Sequence, residues 1–401
     1  MTGVTESSTR PSRILPVIIL SQFAGTSLWF AGNAVLGDLQ GQWAAGPDAL
    51  GYVTSAVQLG FIVGTLVFAF FAISDRYSPR KVFFICSLAG AASNAAVYFA
   101  ARDFASVLAL RFATGFFLAG IYPVGMKIAA GWYQRGLGNA IGFLVGALVL
   151  GTAFPHFLKG VGQAAPWETV TIGVSVTAAL GGLLMLVVPD GPYLARGARF
   201  DPHALMVIFR SKLFRCSSFG YFGHMWELYA FWAFVPVVLS AHSAAMGEAL
   251  NVPLWAFCVI GVGAIGCAGG GLLSLKVGSA PVAFAQLSTS GLCCVFSPLF
   301  FHAPTPLFLG FMLIWGITVV GDSPQFSALN AQNAPKELVG SALTISNCIG
   351  FTITIFSIQV LTHLSASVGA KYLYLPLAIG PVLGLVALSP LMRKQRAYGT
   401  S

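Results

Sequence analysis

Two short segments of the sequence combine titratable side chains in a way that suits proton transfer. The first, GHMWELYAFW, places His224 and Glu227 three residues apart, so a helix would carry both on one face. Burial favours the neutral form of a carboxyl group, so Glu227 could take up and release a proton while His224 relays or tunes it. Trp226 and other aromatic side chains surround the pair. The alternative is a structural pairing of Glu227 with a basic group on a neighbouring helix.

The second segment, GDSPQ, contains Asp322 inside an apolar run. Because Pro324 has no N–H, it leaves a backbone carbonyl free, and the neighbouring Ser323 can help to satisfy it. A helix interrupted in this way commonly lines a cavity. Asp322 is therefore a second candidate for binding a proton or a substrate.

Two basic residues, Arg111 and Lys127, also lie inside apolar runs. The planar guanidinium of Arg111 could hold an anion with two parallel hydrogen bonds, and Tyr122 shares its helix face. A structural ion pair or a gate contact explains Arg111 equally well. Lys127 follows 16 residues later, so at about 100° per residue it points ~160° away and cannot share an anion clamp on a straight helix. Its position near the end of the run suits a side chain that extends to the membrane surface.

Several uncharged polar residues inside the apolar runs could line a pathway, although each also fits a hydrogen bond between helices. They are Gln22, Asn33, Gln58, His156, Thr344 and Asn347. We count Asn33 and Asn347 as pathway candidates, together with Arg111, Tyr122, His224, Trp226, Glu227 and Asp322.

The composition places these residues in a membrane. Hydrophobic residues make up 57% of the 401 residues and charged residues only 8%, whereas a soluble domain carries roughly 25% charged residues. The apolar excess must therefore face lipid. The net charge of +9 comes from basic residues scattered in short loops, so it indicates topology rather than nucleic-acid binding. The seven cysteines include no CxxC pair and fit small apolar side chains in helices, not metal ligands or disulfides.

Twelve apolar runs are long enough to span a bilayer, since a spanning helix needs roughly 20 residues. They lie near 14–36, 48–73, 80–101, 104–131, 139–161, 168–188, 216–240, 252–275, 280–301, 307–331, 340–363 and 372–392. We read the first run as a retained span rather than a signal peptide. The sequence thus predicts an N-terminal tail (1–13), a six-helix half (14–188), a linker (189–215), a second six-helix half (216–392) and a C-terminal tail (393–401).

The loop charges predict the orientation, because cytoplasmic loops are enriched in lysine and arginine. One side would carry Arg10, Arg13, Arg76, Arg80, Lys81, Arg135, Arg196, Arg199, Arg210, Lys212, Arg215, Lys276, Lys336, Arg393, Lys394 and Arg396. The opposite side would carry only Arg102, Lys159 and Lys371. We therefore expect a multi-pass protein of the cell (inner) membrane with both termini in the cytoplasm.

The two halves share a weak internal repeat. The end of the fourth run reads GIYPVGMKIAAGWYQRGLGNA, and the end of the tenth reads GDSPQFSALNAQNAPKELVGSA. Gly120 and Pro123 fall opposite Gly321 and Pro324. Parallel repeats of this kind are typical of transporters whose two halves rock about a central site.

The loop after the second run, SDRYSPRKVF, resembles the signature of the major facilitator superfamily, G-x-x-x-D-R-x-G-R-R/K. Three positions match, Asp75, Arg76 and Arg80, and three depart, Phe71, Ser78 and Pro79. The segment RFATG, with Arg111 and Gly115, looks like the R-x-x-x-G pattern of many members.

The resemblance implies an all-α integral membrane fold of twelve transmembrane helices in two pseudo-symmetric halves, which transports solutes by alternating access. It also implies that Asp75, with Arg76 and Arg80, forms a conformational latch. A carboxylate at the C-terminal end of a helix opposes the helix dipole, so Asp75 needs a partner such as these arginines or another helix N-terminus. The alternative is a solvated turn that only orients the helix.

These observations predict a proton-coupled secondary active transporter. An arginine in the first half and acids in the second make a small organic or inorganic anion the first candidate substrate. The alternatives are a drug or metabolite exporter, which the aromatic residues around Glu227 would suit, and a copper transporter using His242 and Met246 in a loop. No Walker, HExxH or GxSxG motif is present, so we expect neither an enzyme nor a cofactor or metal site. The expected partners are the solute, the proton and the lipid bilayer, with the chain acting as a monomer and binding no nucleic acid.

Overall fold

A computed structural model describes residues 11–133, 137–161, 165–194 and 200–398. Within them, eleven helical segments are long and apolar enough to cross a membrane, and the shorter apolar helix Ile14–Thr26 precedes them. The predicted set of twelve spans is therefore confirmed. Residues 1–10 of the tail, 134–136, 195–199 of the linker and 399–401 lie outside the described residues, and so do Arg10, Arg135, Arg196 and Arg199.

We number the spans 1 to 12 in chain order. They comprise Ile14–Thr26 with Ala31–Ala34 and Leu36–Trp43 (span 1), Ala49–Phe70 (2), Pro79–Phe99 (3), Phe104–Leu118 with Tyr122–Trp132 (4), Leu137–Val161 (5), Trp167–Met185 (6), Lys212–Met246 (7), Val252–Gly261 with Gly263–Val277 (8), Ser279–Phe300 (9), Thr305–Gly321 with Ser323–Asn333 (10), Val339–Ser365 (11) and Ile379–Tyr398 (12). In the linker, a short helix, Ala204–Ile208, packs against the start of span 11.

Spans 1–6 pack mainly on one another, as do spans 7–12, and the two groups meet chiefly along two pairs of helices, with smaller contacts elsewhere. Span 2 packs on span 11, where a Cβ atom added to Gly51 would lie 2.5 Å from the Thr362 hydroxyl oxygen. Nearby, the Gln359 side chain donates to the Ser55 hydroxyl at 2.8 Å. Span 5 packs on span 8. Small residues at such contacts let helix backbones approach closely in lipid.

Spans 4 and 10 are interrupted at matching positions, which fall within the weak internal repeat. Span 4 breaks at 119–121 and resumes with Pro123 in its first turn, and span 10 breaks at Asp322 and resumes with Pro324 in its first turn. A proline in the first turn is tolerated because the N–H that it lacks has no helical partner there. The freed Val320 carbonyl of span 10 accepts a hydrogen bond from the Cys267 thiol at 3.4 Å.

Span 1 differs from the single helix that its apolar run predicts. Its first segment ends at Thr26, and regular helix resumes only at Ala31. The hydroxyl of Thr26 donates to the Gln22 carbonyl at 2.8 Å, and that of Ser27 donates to the Ala24 carbonyl at 2.7 Å. Such side-chain bonds compete with the regular backbone pattern. The carbonyls left over at the break still need donors in a membrane interior.

Candidate transport site

A cavity of about 230 Å³ lies between the two halves. Its wall combines aromatic rings with hydroxyl and amide groups, including Tyr122, Tyr221, Tyr229, Trp232, Ser323, Ser327, Asn330, Thr344, Asn347 and Phe351. The Tyr221 hydroxyl donates to the Asn347 amide oxygen at 3.2 Å. Among the described residues that line this cavity, none is charged.

A vestibule of about 420 Å³ continues from the cavity and shares Thr65, Pro123 and Thr344 with it. Asp75 and Lys127 lie at its wall, on the side of the membrane that carries the loop between spans 2 and 3. We call this side the basic face, because the sequence assigns most of the loop lysines and arginines to it. The cavity is therefore reached from the basic face.

Aromatic rings close the cavity toward the opposite face. Trp29, from the break in span 1, lies 4.9 Å from Phe61 of span 2, 5.7 Å from Tyr229 of span 7 and 5.6 Å from Phe351 of span 11, measured between ring centroids. Phe61 and Phe351 are 4.5 Å apart. We call these four rings the aromatic roof, and they join both halves of the molecule. Aromatic pairs at such distances attract beyond their area burial.

Arg111 is buried beside the roof rather than in the cavity wall. Its guanidinium donates to the carbonyls of Leu28 and Trp29 at 2.9 and 2.7 Å and to the Asn94 side chain at 2.9 Å. A cation is favourable where helix carbonyls are left without partners. The structure thus places Arg111 on the break in span 1, with no contact to the cavity.

The acidic candidates meet in the second half, directly behind the cavity wall. His224 Nδ1 lies 2.8 Å from Asp322 Oδ1, and both side chains are fully buried. Glu227, also fully buried, accepts a hydrogen bond from the Ser290 hydroxyl at 2.8 Å. The Trp315 indole in turn donates to Ser290 at 3.0 Å. Sequence spacing put His224 beside Glu227, whereas the ring of His224 pairs with Asp322 across the break in span 10.

This cluster carries more acid than base. Among the described residues, no lysine or arginine forms an ion pair with Glu227 or Asp322. With His224 protonated and both acids ionised, the cluster would hold one excess negative charge in hydrocarbon, which is costly. Glu227 Oε1 and His224 Nε2 have no hydrogen-bond partner within the described chain. The arrangement is chemically suited to binding a proton.

The loop carboxylate of Asp75 pairs with Lys127 of span 4, whose ammonium group also donates to the Ser74 carbonyl at 2.7 Å. Arg80 donates to the Leu186 carbonyl at 3.3 Å, near the end of span 6. Lys127 thus extends toward the basic face and reaches the signature loop.

The remaining candidates divide between the cavity wall and contacts elsewhere. Asn33 donates to the Thr54 hydroxyl at 2.7 Å, which ties span 1 to span 2. Trp226 donates to the Pro376 carbonyl at 3.2 Å on the outer side of span 7. Tyr122, Thr344 and Asn347 do line the cavity.

His242 lies within span 7, which extends to Met246, and not in a loop as the shorter predicted span implied. Its Nδ1 lies 2.8 Å from the Phe301 carbonyl and its Nε2 lies 3.1 Å from the Thr305 hydroxyl. Both ring nitrogens are therefore engaged within the protein, which removes the support for a copper ligand here.

Sequence reasoning missed the residues that surround each buried charge. Ser290 donates to Glu227 and in turn accepts from Trp315, and Asn94 accepts from Arg111. The only signal in the sequence was a polar residue inside an apolar run, which is too common to single out a partner. The roof residue Trp29 gave no signal at all.

Twelve spans in two halves around a cavity that opens to one face define the architecture of a membrane transporter. The sequence profile of the Major Facilitator Superfamily matches residues 17–358. The chain belongs to this superfamily of transporters. No curated protein matches the chain in sequence.

Solved structures share the fold at low sequence identity. The proton:xylose symporter XylE bound to 6-bromo-6-deoxy-D-glucose aligns with a TM-score of 0.72 and 13% identity, over 96% of each chain. The human organic anion transporter MFSD10 (TETRAN) aligns with a TM-score of 0.67 and 17% identity, over 94% of this chain and 100% of that one. A bacterial homolog to the human lysosomal transporter Spinster, inward-facing and unoccupied, aligns with a TM-score of 0.68 and 14% identity, over 96% and 97%.

Proposed function

We propose that this protein is a proton-coupled secondary transporter of an uncharged organic solute that combines hydroxyl or amide groups with an apolar face. The observation that carries the substrate class is the cavity wall, whose described residues offer hydroxyls, amides and aromatic rings but no charge. Uncharged polar groups bind uncharged polar solutes by hydrogen bonds, and aromatic rings cover an apolar face.

An anion was the first candidate from the sequence because Arg111 lies inside a span. In the structure, Arg111 donates to Leu28, Trp29 and Asn94 and does not line the cavity. An anion in the cavity would therefore lose its water without gaining a cation, which is unfavourable. This favours a neutral solute over an anion.

The buried cluster of His224, Glu227 and Asp322 supports coupling to protons. It lies behind the wall that the substrate would contact, since Met225, Leu228 and Ser323 line the cavity beside it. Loading a proton removes the excess negative charge of the cluster and so lowers the cost of burying it. A change in this charge acts on spans 7 and 10, which both contribute to the cavity wall.

The basic face corresponds to the cytoplasm in this proposal, because basic loops stay on the cytoplasmic side. Both termini then lie in the cytoplasm of a cell whose inner membrane holds the protein. The linker 189–215 joins the halves 14–188 and 216–392 on that side. In this state the cavity is open to the cytoplasm.

The substrate class can be tested by ligand protection of the purified protein against thermal unfolding. The probes are D-glucose, D-xylose, myo-inositol and uridine as neutral solutes, and lactate, succinate and nitrate as anions. We expect at least one neutral solute to raise the melting temperature, and Asn347→Ala to remove that rise because it removes a hydrogen-bonding group of the wall. Protection by anions alone would contradict a neutral substrate.

Proton coupling can be tested with Glu227→Gln in proteoliposomes that contain a pH-sensitive dye. We expect the substitution to abolish proton-driven accumulation while solute exchange between equal concentrations continues, because only the protonation step is removed. Glu337→Gln, at an exposed site before span 11, is the matched control and should keep accumulation intact. Undiminished accumulation by Glu227→Gln would show that Glu227 is not the proton site.

A further inference from the structure

We propose that Arg111 is a positioning residue for the aromatic roof: it fixes the break in span 1 so that Trp29 closes the cavity toward the face opposite the basic face. Arg111 would then act in gating. This role is independent of which substrate the protein carries and of which residue binds the coupling proton.

The hydrogen bonds of Arg111 define how Trp29 is held. One guanidinium nitrogen, Nη2, donates to the Leu28 and Trp29 carbonyls, which the break in span 1 leaves without helical partners. Nη1 donates to Asn94 of span 3. The backbone of Trp29 is thus fixed by a charged donor in the buried interior, where such bonds are strong.

Asn94 extends this support to span 6. Its side-chain amide nitrogen donates to the Thr171 carbonyl and to the Ser175 hydroxyl, each at 3.0 Å. Arg111 therefore links the break in span 1 to spans 3, 4 and 6, all of which belong to the first half. This network can move as one body when the halves rock.

The ring of Trp29 makes the opposite kind of contact, because it reaches across to the second half. Its partners there, Tyr229 and Phe351, are also part of the cavity wall. Opening toward the opposite face must separate these rings, whereas the bonds from Arg111 to span 1 can stay intact. Arg111 thus sets where one side of the roof lies, and the ring contacts decide whether it is closed.

Gly32 shows how closely the break fits around Arg111. A Cβ atom at this position would lie 3.1 Å from Arg111 Nε, 3.3 Å from its Cδ and 2.9 Å from Val53 Cγ1. Gly32→Ala should therefore crowd both Val53 and Arg111, and so shift the guanidinium slightly while leaving its charge in place.

The test measures how fast a cavity cysteine reacts with a membrane-impermeant maleimide added from the face opposite the basic face. The reporter is Ser327→Cys, in the cavity wall, and its labelling rate is corrected for the parent protein with its native cysteines. We expect Arg111→Lys to raise this rate roughly tenfold or more, because it breaks hydrogen bonds made by a charged donor. Trp29→Ala should raise it by a similar factor, because it removes the ring that closes the roof. The double variant should label no faster than either single variant, because both act through one roof.

Gly32→Ala keeps the proposal testable if Arg111→Lys does not fold, and it should give a smaller increase in the same direction. Arg102→Lys is the matched control, since it makes the same substitution at an exposed arginine between spans 3 and 4, away from the roof, and its labelling should equal that of the parent. Parental labelling rates for Arg111→Lys or for Gly32→Ala would overturn the proposal, as would additive effects of Arg111→Lys and Trp29→Ala. Lost transport with unchanged labelling would mean that Arg111 serves the substrate or the proton.

Discussion

The two halves of the molecule bury charge in different ways. In the first half, the single charge of Arg111 is met by two backbone carbonyls and one side-chain amide, although its Nε has no partner among the described residues. In the second half, Glu227, Asp322 and His224 share a site in which a carboxylate oxygen and a ring nitrogen have no partner among the described residues. The first arrangement holds a permanent cation in place, and the second leaves its charge open to change.

The difference follows from the side chains. An arginine stays protonated in proteins, so a fixed set of hydrogen-bond acceptors can stabilise its buried charge permanently. Carboxyl and imidazole groups can change their charge by binding a proton, so a site built from them can have two stable states. The repeat gives both halves an interrupted helix, yet the break in span 10 carries Asp322 and the equivalent break in span 4 carries no acid. The two halves are thus related in architecture, but the buried charge is fixed in the first half and can change in the second.

The largest difference that we predict between the two halves is in the effect of substitutions on stability. Arg111→Met should lower the free energy of unfolding by about 3–5 kcal/mol, because it leaves two carbonyls and Asn94 without their donor in a buried network. Asp322→Asn should change it by less than about 1 kcal/mol, since the amide keeps the shape of the side chain and removes the excess negative charge of the cluster, while Glu227 stays to balance a protonated His224. Thermal or denaturant unfolding of the purified protein in one detergent measures both. An equal loss for the two variants would show that the second half also holds its charge for structure.

The fold was largely predictable from the sequence because its signals are local. Apolar length located the spans, and Pro324 marked the interruption of span 10, while the interruption of span 4 precedes Pro123 in the same way. The interruption of span 1 was missed because it contains no proline. It depends on Arg111, which lies more than 80 positions later in the chain, as the separations of 83 and 82 residues to Leu28 and Trp29 show.

The candidate site was predictable only as a set of residue types. Glu227 and Asp322 stood out because acids are rare in spans, but their partners Ser290 and His224 are fixed by packing between spans that are distant in sequence. Arg111 and Lys127 could not be assigned either, because one helix shows which way a side chain points but not what it meets. Lys127 meets Asp75, on the loop between spans 2 and 3.

The smallest predicted effect concerns the pair of Lys127 and Asp75, at the edge of the membrane. The side chains of Lys127 and Asp75 are 21% and 22% exposed, so water and salt weaken their attraction to about 0.5–1 kcal/mol. If the pair acts as a latch at the vestibule, Asp75→Asn and Lys127→Met should each change the transport rate by roughly two- to fivefold, and the double variant should match the single ones. The pair of Lys159 and Asp38, on the opposite face, supplies the matched control through Lys159→Met. The test is to measure transport rates of these variants at low and high salt. Additive losses, or losses that high salt leaves unchanged, would show that Lys127 and Asp75 act separately. The loop would then only orient the helix.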